Sequence, residues 1–128
     1  MSNFDHAAQP LEIWRDGVLT RMRVSAVNGA HQLCIFEQFC DPGLGAPIHL
    51  HAVEEVLEVI EGEAEITLGD DTIQASANQS VLVPAGCKHG FRNTGTGTLH
   101  VRATLAGPIF EASYDDNREQ SRRWLPEF

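Results

Sequence analysis

Between residues 11 and 105 the chain is written almost entirely in strand-sized pieces, and this punctuation is its strongest constraint on fold. Short apolar or alternating runs are cut repeatedly by Gly, Asn, Asp and Pro, which favour turns and interrupt longer elements. The pattern predicts strands over 11–14, 18–27, 31–40, 47–51, 55–61, 63–68, 72–75, 79–83, 89–92 and 99–105. Asn28-Gly29, Asp41-Pro42-Gly43, Gly62 and Gly69-Asp70-Asp71 supply turns between them. An all-β barrel or sandwich follows. No repeat, linker or low-complexity stretch intervenes, and 128 residues suffice for one core but not two, so 1–128 is expected to form a single domain.

Four residues within that frame carry the chemistry. His49 and His51 are two apart, and in a strand such residues face the same way, roughly 6.5–7 Å apart along the chain. Two imidazoles at that spacing can converge on one ion. Glu55 is a carboxylate just across the adjoining turn, and His89 joins only if a long-range fold brings it there. Three neutral imidazoles and a carboxylate make a mixed N/O set suited to one divalent transition metal: Fe, Mn, Ni, Cu or Zn. His6 and His100 have no such company and are read as structural or exposed.

The residues around the four agree with one another at two independent spacings. Gly43-Leu-Gly-Ala-Pro-Ile-His49-Leu-His51-Ala-Val-Glu-Glu55, closed by Gly62, follows the pattern G-x5-H-x-H-x3-E-x6-G. Pro84-Ala-Gly86-Cys-Lys-His89-Gly-Phe-Arg-Asn93 follows P-x-G-x2-H-x3-N. Together they resemble the two motifs of the cupin superfamily over residues 43–93, with Asn78 standing where the second motif opens on glycine. Asn tolerates positive φ better than other non-glycine residues, so the turn survives. The resemblance implies a double-stranded β-helix, or jelly-roll, barrel of the RmlC-like type, with His49, His51, Glu55 and His89 pointing inward as metal ligands. Gly43, Gly62, Pro84, Gly86 and Asn93 are then turn-forming or strand-capping residues.

Strand phase extends the reading. If Glu55 points inward, so do Leu57 and Val59, while Val56 and Ile60 face out. An outward apolar pair on a barrel strand needs cover, and cupins commonly dimerise by pairing sheets, so a homodimer is expected. Leu57, Val59 and Phe91 make an apolar wall that suits a small, partly apolar ligand. Four protein ligands on an octahedral ion leave two open positions. That arrangement allows a metal-dependent enzyme of the dioxygenase or oxidoreductase type, the first expectation. The alternatives are a metal-dependent isomerase or decarboxylase, acting by Lewis-acid polarisation, or a non-catalytic module that binds a small ligand. No general base is obvious beyond the ligands; Gln38, His31, Glu37 and Arg23 are the candidates, and which of them faces inward depends on strand phase.

Charge and cysteine usage narrow the partners. A net charge of −9 with scattered basic residues disfavours nucleic acid and anionic membranes. The longest apolar runs are strand-sized, so no bilayer span is expected, and the polar start Met1-Ser-Asn-Phe-Asp-His6 does not read as a signal peptide. Three cysteines, Cys34, Cys40 and Cys87, cannot all pair and fit a reducing, cytoplasmic setting. Cys87 lies two residues before His89 and can reach a metal if extended geometry starts there; the plainer reading is a small residue in the loop before the strand. The polar tail over 113–128 places Asp115-Asp116 ahead of Arg118, Arg122 and Arg123, an order that suits a short helix. Trp124, Leu125 and Phe128 are then placed to pack on the barrel or on a second subunit.

Overall fold

The computed structural model describes residues 3–116, 119 and 121–127, and it is all-β. Strands β1 (Glu12–Arg15), β2 (Val18–Val24), β3 (Cys34–Cys40), β4 (Gly45–Leu50), β5 (Glu55–Glu61), β6 (Glu63–Leu68) and β7 (Asp71–Ser76) are followed by β8 (Gln79–Val83), β9 (His89–Asn93) and β10 (Leu99–Leu105). Three two-residue strands complete the set: β11 (Phe110–Glu111), β12 (Ser113–Tyr114) and β13 (Arg122–Arg123). One antiparallel sheet runs β1-β2-β3-β10-β5-β8, a second runs β12-β4-β9-β6-β7, and β11 pairs with β13. The two large sheets pack face to face as a jelly-roll barrel, with the non-consecutive neighbours β3-β10-β5-β8 and β4-β9-β6 marking the crossovers.

Period-two alternation decides what fills the interior. β10 alternates strictly, burying Leu99, Val101, Ala103 and Leu105, and β5 buries Glu55, Leu57 and Val59 while Val56 is exposed. Ala64, Ile66 and Phe91 meet them from the facing sheet, and Cys34, Phe36, Val81 and Val83 flank them in their own sheet. Asn78 adopts φ 70°, so the turn before β8 keeps its left-handed residue without glycine. Asn93 is buried at the end of β9; its side-chain amide donates to the carbonyls of Cys40 (2.9 Å) and Gly97 (2.8 Å), tying β9 to β3 and closing the following turn.

Two expectations are corrected. The strand over 18–27 ends at Val24, because Ser25 and Asn28 cap a 3-10 turn at Ala26–Asn28, which Gly29 closes at φ 108°. The tail is not helical among the described residues: β12 adds to the edge of β4, and β13 pairs with β11. Open sheet edges outcompeted the acid-then-base pattern there. Arg118 and Phe128 lie outside the described residues. Trp124 does pack on the barrel, its ring centroid 5.5 Å from those of Trp14 and Phe36, whereas Leu125 is exposed.

The β4–β9 pairing is unusually close. A Cβ at Gly45 would meet the Phe91 carbonyl oxygen at 2.1 Å and the Arg92 Cα at 2.9 Å, both backbone atoms that cannot swing aside. Gly45→Ala is therefore expected to destabilise the barrel by about 1–3 kcal/mol, the range for forced overpacking. Gly97→Ala, where a Cβ meets nothing within 4 Å, should leave the thermal midpoint near wild type. Comparing the two melting curves checks the constraint.

Candidate metal centre

The centre is assembled at one end of the barrel by strand ends. His49 lies in β4, His51 one residue beyond it, Glu55 opens β5 and His89 opens β9. The β4–β9 register places Ala46 opposite Phe91 but His49 opposite His89, so β4 carries one extra residue between those pairs. Unbroken register would have set Ile48 against His89 and turned His49 outward. The bulge falls at Pro47-Ile48, where proline has no N–H to withhold from the ladder.

All four side chains are buried, at 6% exposure or less. Each imidazole is oriented by a backbone carbonyl: His49 Nδ1 contacts the Pro47 oxygen at 2.6 Å, His51 Nδ1 the Glu111 oxygen at 2.6 Å, and His89 Nδ1 the Cys87 oxygen at 2.9 Å. A carbonyl only accepts, so in each ring Nδ1–H donates and the Nε2 lone pair is left for the interior. The three histidines bring one nitrogen each within 4.8 Å of one another. Glu55 reaches His89 Nε2 at 3.0 Å and His51 Nε2 at 3.5 Å.

The donor set fits a transition metal. Nε2 of both His51 and His89 is buried with no well-formed hydrogen bond among the described residues, and in the neutral rings its lone pair faces a Glu55 oxygen within 3.5 Å, an expensive arrangement unless a proton or a cation lies between them. Imidazoles whose second nitrogen donates to a carbonyl are the usual outer-shell pattern of metal-ligating histidine. His49, His51 and His89 can thus hold an ion, with the Glu55 carboxylate alongside.

Electrostatics within the cluster are divided. Burial, reinforced by His89 nearby, lowers the His49 pKa to about 4, which keeps that ring neutral. Burial also acts to raise the pKa of Glu55, but His51 and His89 outweigh it and hold the carboxyl at about 2. Burial opposes a charged His51, yet the Glu55 carboxylate more than offsets it, and the His51 pKa lies above its ordinary 6.5.

A cavity adjoins the cluster, lined by His49, Glu55, His89, Gln38, Arg15 and Tyr114 among apolar walls. Those walls are Trp14, Phe36, Ala46, Leu57, Phe91, Ala103 and Phe110. Leu57 and Phe91 line it as expected, while Val59 is buried deeper in the core and does not. Of the four candidate polar residues only Gln38 enters the wall, its amide donating to Thr20 Oγ1 at 3.0 Å. Glu37 and Arg23 pair on the outer face of the sheet, Glu37 also meeting His100 at 2.7 Å, and His31 is exposed. Cys87 offers its carbonyl to His89, while its Sγ contacts the Lys88 oxygen at 3.6 Å and lies outside the metal-capable group. Sequence reasoning missed Trp14, Arg15, Phe110 and Tyr114, which belong to no motif. Burial raises the Tyr114 pKa to about 12, with Glu119 adding to the effect, so its phenol remains a donor at physiological pH.

A buried three-histidine cluster beside an apolar cavity in a jelly-roll barrel defines a metal-capable small-ligand barrel. Residues 36–105, over half of the chain, match the family model for the cupin domain, and the chain belongs to that family. It is 34% identical over 79 residues to the polyketide synthase CurC of Streptomyces cyaneus, covering 61% of this chain and 49% of that protein. The chain spans about half or less of the curated relatives it matches, including auxin-binding protein 1 of Arabidopsis thaliana at 47%. Among solved structures, the polyketide cyclase RemF from Streptomyces resistomycificus superposes with a TM-score of 0.76 at 21% identity, over 90% of this chain and 85% of that one. An RmlC-like cupin from Shewanella frigidimarina does so with 0.70 at 21% identity, over 84% and 95%.

Two outcomes are expected at this centre. His51→Ala and His89→Ala should each weaken zinc binding at least ~10-fold in a competition titration while the barrel stays folded, since one ligand is lost. Metal uptake must also displace the His51 proton. The raised pKa means that proton is held below the folded value and lost above it, so zinc affinity should fall about tenfold per pH unit below that pKa and level off above it. The same titration across pH 5.5 to 8.5 reads the slope; a flat profile counts against His51 Nε2 as a donor.

Proposed function

We propose that this chain is a metal-dependent enzyme in which His49, His51, His89 and Glu55 together hold one divalent transition metal and a small, largely apolar carbonyl compound is the substrate. The observation that carries this reading is the orientation of three imidazoles by Nδ1–H bonds to carbonyls, with their Nε2 atoms gathered beside an apolar cavity. Such an ion, when bound, would act as a Lewis acid on the carbonyl oxygen of an enolisable substrate or as a redox centre, depending on the metal.

The residues of the chain do the rest. Glu55, held anionic by its neighbours, balances the charge of the ion in a buried site. Tyr114 lies in the cavity wall with its ring centroid 5.3 Å from that of His49, and its protonated hydroxyl is a donor for a substrate oxygen. Gln38 is held by Thr20 and sets a second polar point on the wall. Trp14, Phe36, Leu57, Phe91 and Phe110 exclude water and suit a flat apolar body.

Ring closure or a related rearrangement of a polyketide-like β-dicarbonyl is the reaction we favour, because CurC and RemF are named for polyketide synthesis and cyclisation. The dioxygenase or oxidoreductase reading is second, favoured by a mixed N/O donor set that equally suits iron. Three free cysteines, with Cys34 and Cys40 pushed up to about 12 by burial, suit a reducing compartment such as the cytoplasm.

The outer face of the six-stranded sheet supports a homodimer. Ile13 and Leu19 pair across β1–β2, and Val56 and Leu82 pair across β5–β8, leaving two exposed apolar patches. Between them run the ion pairs Arg21–Glu37 and Arg102–Glu58. Leu82→Glu should shift the mass measured by light scattering toward the monomer; an unchanged mass removes this face from the interface.

Elemental analysis of protein purified without chelators, followed by turnover of a β-dicarbonyl panel in air and under nitrogen, tests the main reading. Equal rates in the two atmospheres are expected, with Glu55→Gln shifting the metal preference and lowering the rate. Oxygen uptake coupled to substrate loss would instead establish the oxidoreductase reading, and a chain that rejects every added metal would refute both.

A further inference from the structure

A second irregularity of register, in β1, points at the rim of the same cavity. Ile13 pairs with Leu19 but Arg15 pairs with Val18, so β1 also carries an extra residue. Ile13 is 74% exposed on the outer face, and regular alternation would send Arg15 out beside it. The bulge re-aims it, and Arg15 lines the cavity next to Trp14.

The partners of that guanidinium are unusual. Arg15 Nη1 donates to the Gly45 carbonyl at 2.7 Å. Its Nε donates to both oxygens of Glu119, at 3.0 and 3.1 Å, and Nη2 donates to Glu119 Oε1. The counter-charge is thus a carboxylate from the far end of the chain, 104 residues away in sequence. Both side chains are largely withdrawn from water, at 22% and 14% exposure. Trp14, beside Arg15 on the wall, has an indole Nε1–H that is buried and meets no acceptor among the described residues. The rim is therefore rich in donors, and its guanidinium is satisfied by a carboxylate remote in sequence rather than by one from the same wall.

We propose that Arg15 is the recognition residue for the carboxylate of an acidic, flat-bodied substrate, and that Glu119 holds that position as an internal carboxylate until the substrate displaces it. This rests on the metal centre being the reactive end of the cavity: the acid group is gripped at the rim while the apolar body reaches toward His49 and His89. Exchange of one carboxylate for another keeps the half-buried guanidinium paired throughout. A neutral ligand that dislodged Glu119 would leave that cation unpaired, so the arrangement selects for acids. The two-pronged contact also sets the direction in which the substrate enters.

Benzoate and its neutral isostere benzamide serve as probes in calorimetric titrations of the metal-free and zinc-loaded protein. Glu119→Gln should tighten benzoate about tenfold, the scale of one charge-assisted contact, and leave benzamide unchanged. Arg15→Gln should reduce benzoate to the level of benzamide. If that variant does not fold, Arg15→Lys keeps the charge without the fork and should fall between the two. Benzoate binding that ignores both positions, or a Glu119→Gln gain shared equally by benzamide, overturns the proposal. Zinc content of the same preparations separates the two readings. Full zinc with no benzoate discrimination rejects acid recognition alone, and Arg15-dependent benzoate binding in a chain that takes no zinc rejects the metal centre alone.

Discussion

Everything at the site depends on how closely β4 approaches β9. Two glycines, Gly45 and Gly90, allow that approach: a Cβ at Gly90 would sit 2.8 Å from the Ala46 carbonyl oxygen, just as one at Gly45 would strike Phe91. With the backbones so close, a single extra residue in β4 decides which side chain opposes His89. The bulge does two things at once. It turns His49 inward, and it sets the Pro47 carbonyl in position to accept the His49 Nδ1–H. Register and tautomer are thereby set by the same local irregularity.

The buried cluster is held together by opposing electrostatic demands. Three imidazoles and a carboxylate removed from water would each resist charge alone. Together they sort themselves: His49 is driven neutral, Glu55 is kept anionic, and the carboxylate beside His51 favours its protonated form against burial. A cation placed among the Nε2 atoms would meet all three demands at once. The outer face of the six-stranded sheet solves a similar problem differently, surrounding buried Glu37 with Arg21, Arg23 and His100.

The cavity is built from elements distant in sequence. Its apolar walls come from β1, β3, β4, β5, β9, β10 and β11, and its polar points, Gln38 excepted, from strand ends and bulges. Bulges in β4 and β1 perform the same operation, turning a residue that alternation would waste on the outer face toward the ligand. Barrel rims favour such bulges because strands there are already losing their partners.

Much of this was legible in the residues themselves. The order of the main strands and the outward phase of Val56 follow from turn chemistry and period-two alternation, which are local properties, while the turn at Asn78 and the grouping of His89 with His49, His51 and Glu55 were legible only through the resemblance of two motifs. The helix expected in the tail failed because its sequence pattern is also local, whereas the edges of β4 and β11 that captured it are not. Gln38 was one of four equivalent candidates until pairing set its phase, and Arg15 and Tyr114 carried no signal at all. The sequence by itself determined which donors exist and which strands bear them. Only the tertiary structure decided which of them meet, because a side chain's face depends on register, and one extra residue in a strand reverses it.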